Sequence, residues 1–154
     1  MADKVQFELV SPEKLLLSEA VAMVVVPGSE GNFGVLPGHS LLISTVRPGI
    51  IDVYSDEPTQ ISERIFVSGG FAEVTPERCT VLADEALPLS SLDRAATEQQ
   101  AKALEATVAS LRDQLARQQG AERERAAGEL RAAERRLAVA AAKLAALDSA
   151  AGHA

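Results

Sequence analysis

Residues 5–10, VQFELV, alternate apolar and polar positions, the period-two signature of a strand with one buried face. The alternation breaks at Ser11-Pro12-Glu13; short strands are expected over residues 14–17, 20–26, 50–54, 71–74 and 79–83, and the alternation returns, imperfectly, over residues 60–67. Turn chemistry separates them at Asp56-Glu57-Pro58, Ser68-Gly69-Gly70 and Thr75-Pro76-Glu77-Arg78, and Ala86-Leu87-Pro88 is expected to end the run. Between residues 24 and 50 stand three Pro-Gly pairs, at 27–28, 37–38 and 48–49, which divide the apolar pieces VVV, FGVL and LLISTV. Pro presets φ at the first corner of a turn, and Gly accepts the positive φ that a type II turn needs at the second. The pattern therefore predicts three corners in a tight antiparallel unit, and nine or ten short strands before residue 90. No helix-length periodicity interrupts them. The expected fold is a flattened antiparallel β-sandwich with one modest core.

At Ser90 the pattern changes. From there Gly occurs only at 120, 128 and 152, Pro is absent and Ala dominates. Ser90 followed by Asp93 predicts an N-cap with an acidic third helical position. Leu104, Val108, Leu111 and Leu115 mark one helical face, and Gln118-Gln119-Gly120 is the expected stop. A second helix over residues 121–147 carries Leu130, Leu137 and Leu144 seven apart, with Leu147 and small Ala133, Ala140 and Ala141 beside that stripe. Interleaved Glu and Arg form a solvated face, worth only ~0.2–0.5 kcal/mol per pair. Gly128 costs the helix roughly 1 kcal/mol relative to Ala. The chain thus divides into a β domain, 1–89, and an antiparallel two-helix hairpin, 90–154. With ~1.5–3 kcal/mol per fully buried leucine, so narrow a stripe can be rivalled by a competing partner. The hairpin is expected to be mobile.

Charge and composition narrow the function. The chain of 154 residues carries a formal charge of −7. Residues 1–89 hold five Lys and Arg against thirteen Asp and Glu, so the acidity lies in the β part and the tail is nearly balanced. That sign argues against binding a phosphate backbone, and four Phe, one Tyr and no Trp offer no stacking platform for single strands. No apolar run reaches the length of a membrane span, and residues 1–10 lack the basic and apolar regions of a signal peptide. One cysteine, Cys79, excludes an internal disulfide and reads as a half-buried strand residue.

Catalytic sets are missing. His39 and His153 are the only histidines, and no Cys/His spacing suits zinc. Gly28, Gly31 and Gly34 lack the lysine and helix entry of a phosphate loop, and read as turn and bulge glycines. Asp56-Glu57 and Asp84-Glu85 fall in turns or at a strand end. The reading is a non-catalytic protein.

Two stretches go beyond what a β fold requires: PGSEGNFGVLPGHSLLISTVRPG at residues 27–49 and VSGGFAEVTPERCTVLADEA at residues 67–86. With the order of β domain and helical hairpin, they resemble the epsilon subunit of F-type ATP synthases. The resemblance implies a ten-stranded sandwich with a C-terminal hairpin, in the central rotor stalk of a proton-translocating synthase. It implies binding to the gamma subunit on one side and to the ring of c subunits on another, on the cytoplasmic face of a bacterial inner membrane without insertion. The family's Ser-Glu-Gly turn, a ring contact, maps to Ser29, Glu30, Gly31 and Asn32, and its PGH histidine, near gamma, to His39. Hairpins of the family can extend into the catalytic alpha/beta head and inhibit ATP hydrolysis. Some bind ATP through an Asp and an Arg three residues later. Here Asp93 is followed by Arg94, and Ala96 stands in that third place, so no cofactor is expected. A second reading, from the residues alone, is a β adaptor that dimerises through its tail as a coiled coil.

Overall fold

The computed structural model describes residues 3–151 and divides into two compact units, Met1–Ser91 and Leu92–Ala154. The first holds ten strands: β1 Val5–Val10, β2 Leu15–Val21, β3 Met23–Gly28, β4 Gly31–Val35, β5 Leu42–Val46, β6 Gly49–Tyr54, β7 Glu63–Val67, β8 Gly70–Val74, β9 Arg78–Ala83 and β10 Ala86–Pro88. They hydrogen-bond in the order β10-β7-β6-β3-β5-β8-β9-β1-β2, with β4 attached to β3. The junction between β3 and β5 is a single pairing, Gly28 with Val46, so the ladder folds over there into two layers. Between them lies one apolar core in which Val5, Phe7, Val24, Ile51, Val67 and Val81 are each 0% exposed. The alternation along β1 explains its place: Val5, Phe7 and Leu9 are buried while Gln6, Glu8 and Val10 face outward.

The ten-stranded sandwich expected from the sequence is present, with four local differences. First, the sheet is not wholly antiparallel, because β1 runs parallel to β9. With β2 on its other edge, β1 is flanked on both sides, and Arg78 Nη1 meets the Glu8 carboxylate at 2.8 Å across the parallel pair. Second, of the three Pro-Gly pairs only 37–38 puts its glycine at positive φ, with Gly38 at 84°. Pro27-Gly28 continues β3 instead, since Pro27 pairs with Asn32 and its carbonyl accepts from the Arg47 amide at 2.9 Å. Lacking an N–H, Pro serves there through its acceptor alone. Gly49 likewise opens β6. Third, residues 86–88 do not merely end the run but form β10 on β7. Fourth, β2 runs to Val21, longer than residues 14–17, and residues 60–62 precede β7 instead of joining it.

In the second unit, α1 spans Arg94–Arg117 and α2 Gly120–Ala151. The N-cap is Asp93 and not Ser90: its Oδ1 accepts from the Ala96 amide at 3.2 Å. Residues Leu89–Ser91 form a 3-10 turn, where Ser91 Oγ donates to the Pro88 carbonyl at 2.8 Å, and this moves the helix start three residues on. α1 closes at Gln118 as expected, whereas Gly120 begins α2 and that helix continues past Leu147. The helices are antiparallel, since Arg94 pairs with Asp148 at 2.7 Å and Arg112 with Glu134 at 3.5 Å. Arg123 donates to the Leu115 carbonyl, one of the acceptors that the end of α1 leaves without a helical partner.

The hairpin's core is small. Val108, Leu111, Leu130 and Ala133 are buried together, with Leu115 and Leu137 packed against them. Leu104, Leu144 and Leu147 are half-buried. No helix of the described residues is long and apolar enough to cross a membrane.

Candidate functional site

Three features of the β unit present chemistry outward. The first is the tip of the β3–β4 hairpin. Gly28 pairs with Gly31, leaving Ser29 and Glu30 as a two-residue loop. Such loops favour mirror-image turns with positive φ, yet among the described residues no non-glycine has positive φ. The tip is instead held from β5. Ser29 donates its amide to the Thr45 carbonyl at 3.0 Å and accepts at Oγ from Thr45 Oγ1 at 3.2 Å. Arg47 donates through Nη1 to the Gly28 carbonyl and through Nη2 to Asn32 Oδ1 at 2.6 Å. A Cβ at Gly28 would stand 2.8 Å from the Gly31 carbonyl oxygen, so this position needs glycine for close approach. Ser29, Glu30, Gly31 and Asn32 are all exposed.

The second feature is the turn at His39. The Gly38 amide donates to the Pro76 carbonyl at 2.8 Å, fastening this turn to the β8–β9 connection. His39 is half-buried, and its Nδ1 lies 2.7 Å from the Ser40 carbonyl. A carbonyl only accepts, so Nδ1 carries a proton in this contact.

The third feature runs across the outer face of one layer. In register from strand to strand, Thr45, Phe71, Leu82, Val10 and Leu15 form one row over β5, β8, β9, β1 and β2. Phe71, Leu82 and Leu15 are 58%, 53% and 54% exposed, and Ile43 beside them is 77% exposed. Contiguous apolar surface of this kind marks an interface more often than it occurs idly.

Catalytic chemistry has no comparable cluster. Among the described residues no group of three His, Cys, Asp or Glu is placed to hold a metal. His153 lies outside the described residues. Cys79 is fully buried in the core, and burial pushes its thiol up to about 12. Such a thiol is inert as a nucleophile.

Residues 4–89 match the sequence model of the ATP synthase delta/epsilon chain β-sandwich domain. The ATP synthase epsilon chain of Rhodospirillum centenum is 69% identical over 103 residues, 65% of this chain and 70% of its own length. The chain belongs to the ATP synthase epsilon-chain family. The epsilon chain of Rhodospirillum rubrum is 62% identical over 96 residues, covering 62% of this chain and 70% of that one. Among solved structures, a chain of the Euglena gracilis mitochondrial ATP synthase (OSCP/F1/c-ring, rotational state 1) superposes with TM-score 0.65 at 29% identity. The match covers 94% of this chain and 81% of that one. As an epsilon chain it is a non-catalytic accessory subunit of the synthase.

The structure gathers the sequence candidates for ring contact, 29–32, at one tip, and sets His39 in a separate turn. Sequence reasoning missed Arg47 and the apolar row. A signal for the row existed: Phe71 and Leu82 are apolar at positions where strict alternation calls for polar ones. Nothing in the sequence near Arg47 marked it, because its partners are 15 and 19 residues away.

Proposed function

We propose that this epsilon-family chain works in the central stalk of a proton-translocating ATP synthase, carrying torque from the ring of c subunits through gamma. The observation that carries the reading is the row in which Phe71, Leu82 and Leu15 are exposed and Val10 is half-buried, which suits a hydrophobic partner surface. Gamma is assigned to that face, with His39 as a further contact on the turn fastened to the β8–β9 connection. The polar tip Ser29–Asn32 is assigned to the loops of the ring. This arrangement corresponds to a peripheral subunit on the cytoplasmic face of a bacterial inner membrane.

The hairpin is assigned a regulatory part, extending toward the alpha/beta head to slow ATP hydrolysis. Its apolar cluster of Val108, Leu111, Leu130 and Ala133 is small enough for a partner to compete with. No nucleotide site is assigned to it. Asp93 is engaged as the cap of α1, and Arg94 pairs with Asp148. The two helices satisfy each other as a hairpin, which leaves little stripe for the coiled-coil adaptor reading.

Purification of the synthase from membranes through a tag on this chain tests the assignment. Phe71→Asp should lose gamma and the head from the purified material, while the unsubstituted chain retains both. Equal recovery would refute the gamma face. Deleting residues 90–154 should raise the ATP hydrolysis rate, and an unchanged rate would discard inhibition.

A further inference from the structure

We infer that Arg47 is the positioning residue of the ring-facing tip, a planar fork that fixes the tip's conformation from the neighbouring layer. This rests on the reading that Ser29–Asn32 meets the ring. The loop Ser29-Glu30 does not use the positive-φ turn that would hold a two-residue hairpin by itself. Its conformation comes from β5, where three consecutive elements of support converge. The Thr45 carbonyl and hydroxyl hold Ser29, the Arg47 amide holds Pro27, and the Arg47 guanidinium spans Gly28 on one side of the loop and Asn32 on the other. Of these contacts, only those of the guanidinium reach both arms of the hairpin. Two of its nitrogens donate to two acceptors four residues apart, a task that suits a rigid planar fork and not the single ammonium of lysine. The junction explains why the fork stands here. Gly28–Val46 is the only pairing between β3 and β5, so Arg47 follows directly on the one point where the two layers are stitched. The tip projects past that point with Asn32 and Gly28 as its base, and the fork closes the base.

The consequence is that the tip's order, and through it ring engagement, depends on an arginine that need not touch the ring. The test has two parts, using Arg47→Met and Arg47→Lys. In the free chain, amide hydrogen exchange at Glu30–Phe33 should accelerate at least tenfold in Arg47→Met and by less in Arg47→Lys. Amides of β1, β7 and β9 should keep their rates. Unchanged exchange at the tip, or acceleration spread equally over the core strands, would overturn the proposal. In the assembled synthase in membranes, Glu30→Cys supplies a cross-linking handle, since Cys79 is buried. Its cross-link to the ring should fall several-fold when Arg47→Met is added, with Arg47→Lys between. An undiminished yield with a loosened tip would also overturn the inference. Absence of any cross-link with Arg47 intact would instead refute the ring assignment and leave the exchange result to decide the fork.

Discussion

The Cα of Gly70 lies so close to Leu82 of the neighbouring strand that a Cβ built on it would stand 1.8 Å from the Leu82 carbonyl oxygen. Gly70 also has φ 142°, and it links β8 to two partners, Val46 and Ala83. Neither backbone nor side-chain relaxation removes a clash with a carbonyl that belongs to the ladder. Gly70→Ala should cost more than about 4 kcal/mol, the range reserved for broken backbone geometry. Gly34→Ala provides the contrast, because its Cβ would meet Met23 Sδ at an ordinary 3.7 Å. That change should stay within about 1 kcal/mol of the parent, and urea melts of the two variants check the difference.

At the entry to α1, Asp93 accepts through two groups at once. Its carboxylate caps the Ala96 amide, and its carbonyl accepts from the Thr97 amide at 3.0 Å and the Thr97 hydroxyl at 2.7 Å. Asp93→Ala removes the first and should weaken the hairpin by about 1 kcal/mol, whereas Ser90→Ala should have almost no effect. Thermal melts followed by helical circular dichroism distinguish the two. Equal effects would restore Ser90 as the cap.

These residues show what the sequence disclosed and where it fell short. Period-two alternation revealed β1, which buries one face, and turn chemistry at both ends of short apolar pieces marked β6, β8 and β9; both signals need only local chemistry. The Pro-Gly pairs misled at 27–28 and 48–49, since whether such a pair turns depends on the strand that pairs with it. There, pairing with Gly31 and Val46 keeps Gly28 extended. The parallel contact of β1 with β9 joins residues about seventy positions apart, beyond any local signal. Among the candidate site residues, Ser29–Asn32 and His39 came from the family resemblance carried by the Pro-Gly frame around them, while Arg47 acts at a distance and the Phe71 row exists only once five strands are in register.

The hairpin leucines differ in burial, and that difference should appear in stability. Leu111 is packed among Val108, Leu130 and Ala133, whereas Leu104 is half-buried outside that cluster. Leu111→Ala should lose about 2–3 kcal/mol of hairpin stability and Leu104→Ala about 1 kcal/mol. The β unit has its own core, so tertiary signals from the sandwich should survive in both variants. Exchange protection of α1 amides provides the measurement. Equal losses would mean that the helices slide to repack.

Cys79 makes the β unit sensitive to alkali in a defined direction. Its thiol has an ordinary value of 9.0 and is pushed up to about 12 by burial among core side chains. The folded state therefore keeps the proton through a range where the unfolded chain gives it up. The stabilising contribution is complete below about pH 9 and disappears as pH rises toward about 12, at up to about 1.4 kcal/mol per pH unit. Denaturant midpoints should fall over that interval in the parent chain. The comparison with Cys79→Ala isolates the thiol: the variant starts less stable through its lost packing, and its decline over the same interval should be shallower. Parallel declines would assign the alkaline loss to other groups. At neutral pH a thiol reagent should leave the folded chain unmodified and label it only in denaturant, at a rate set by opening of the core.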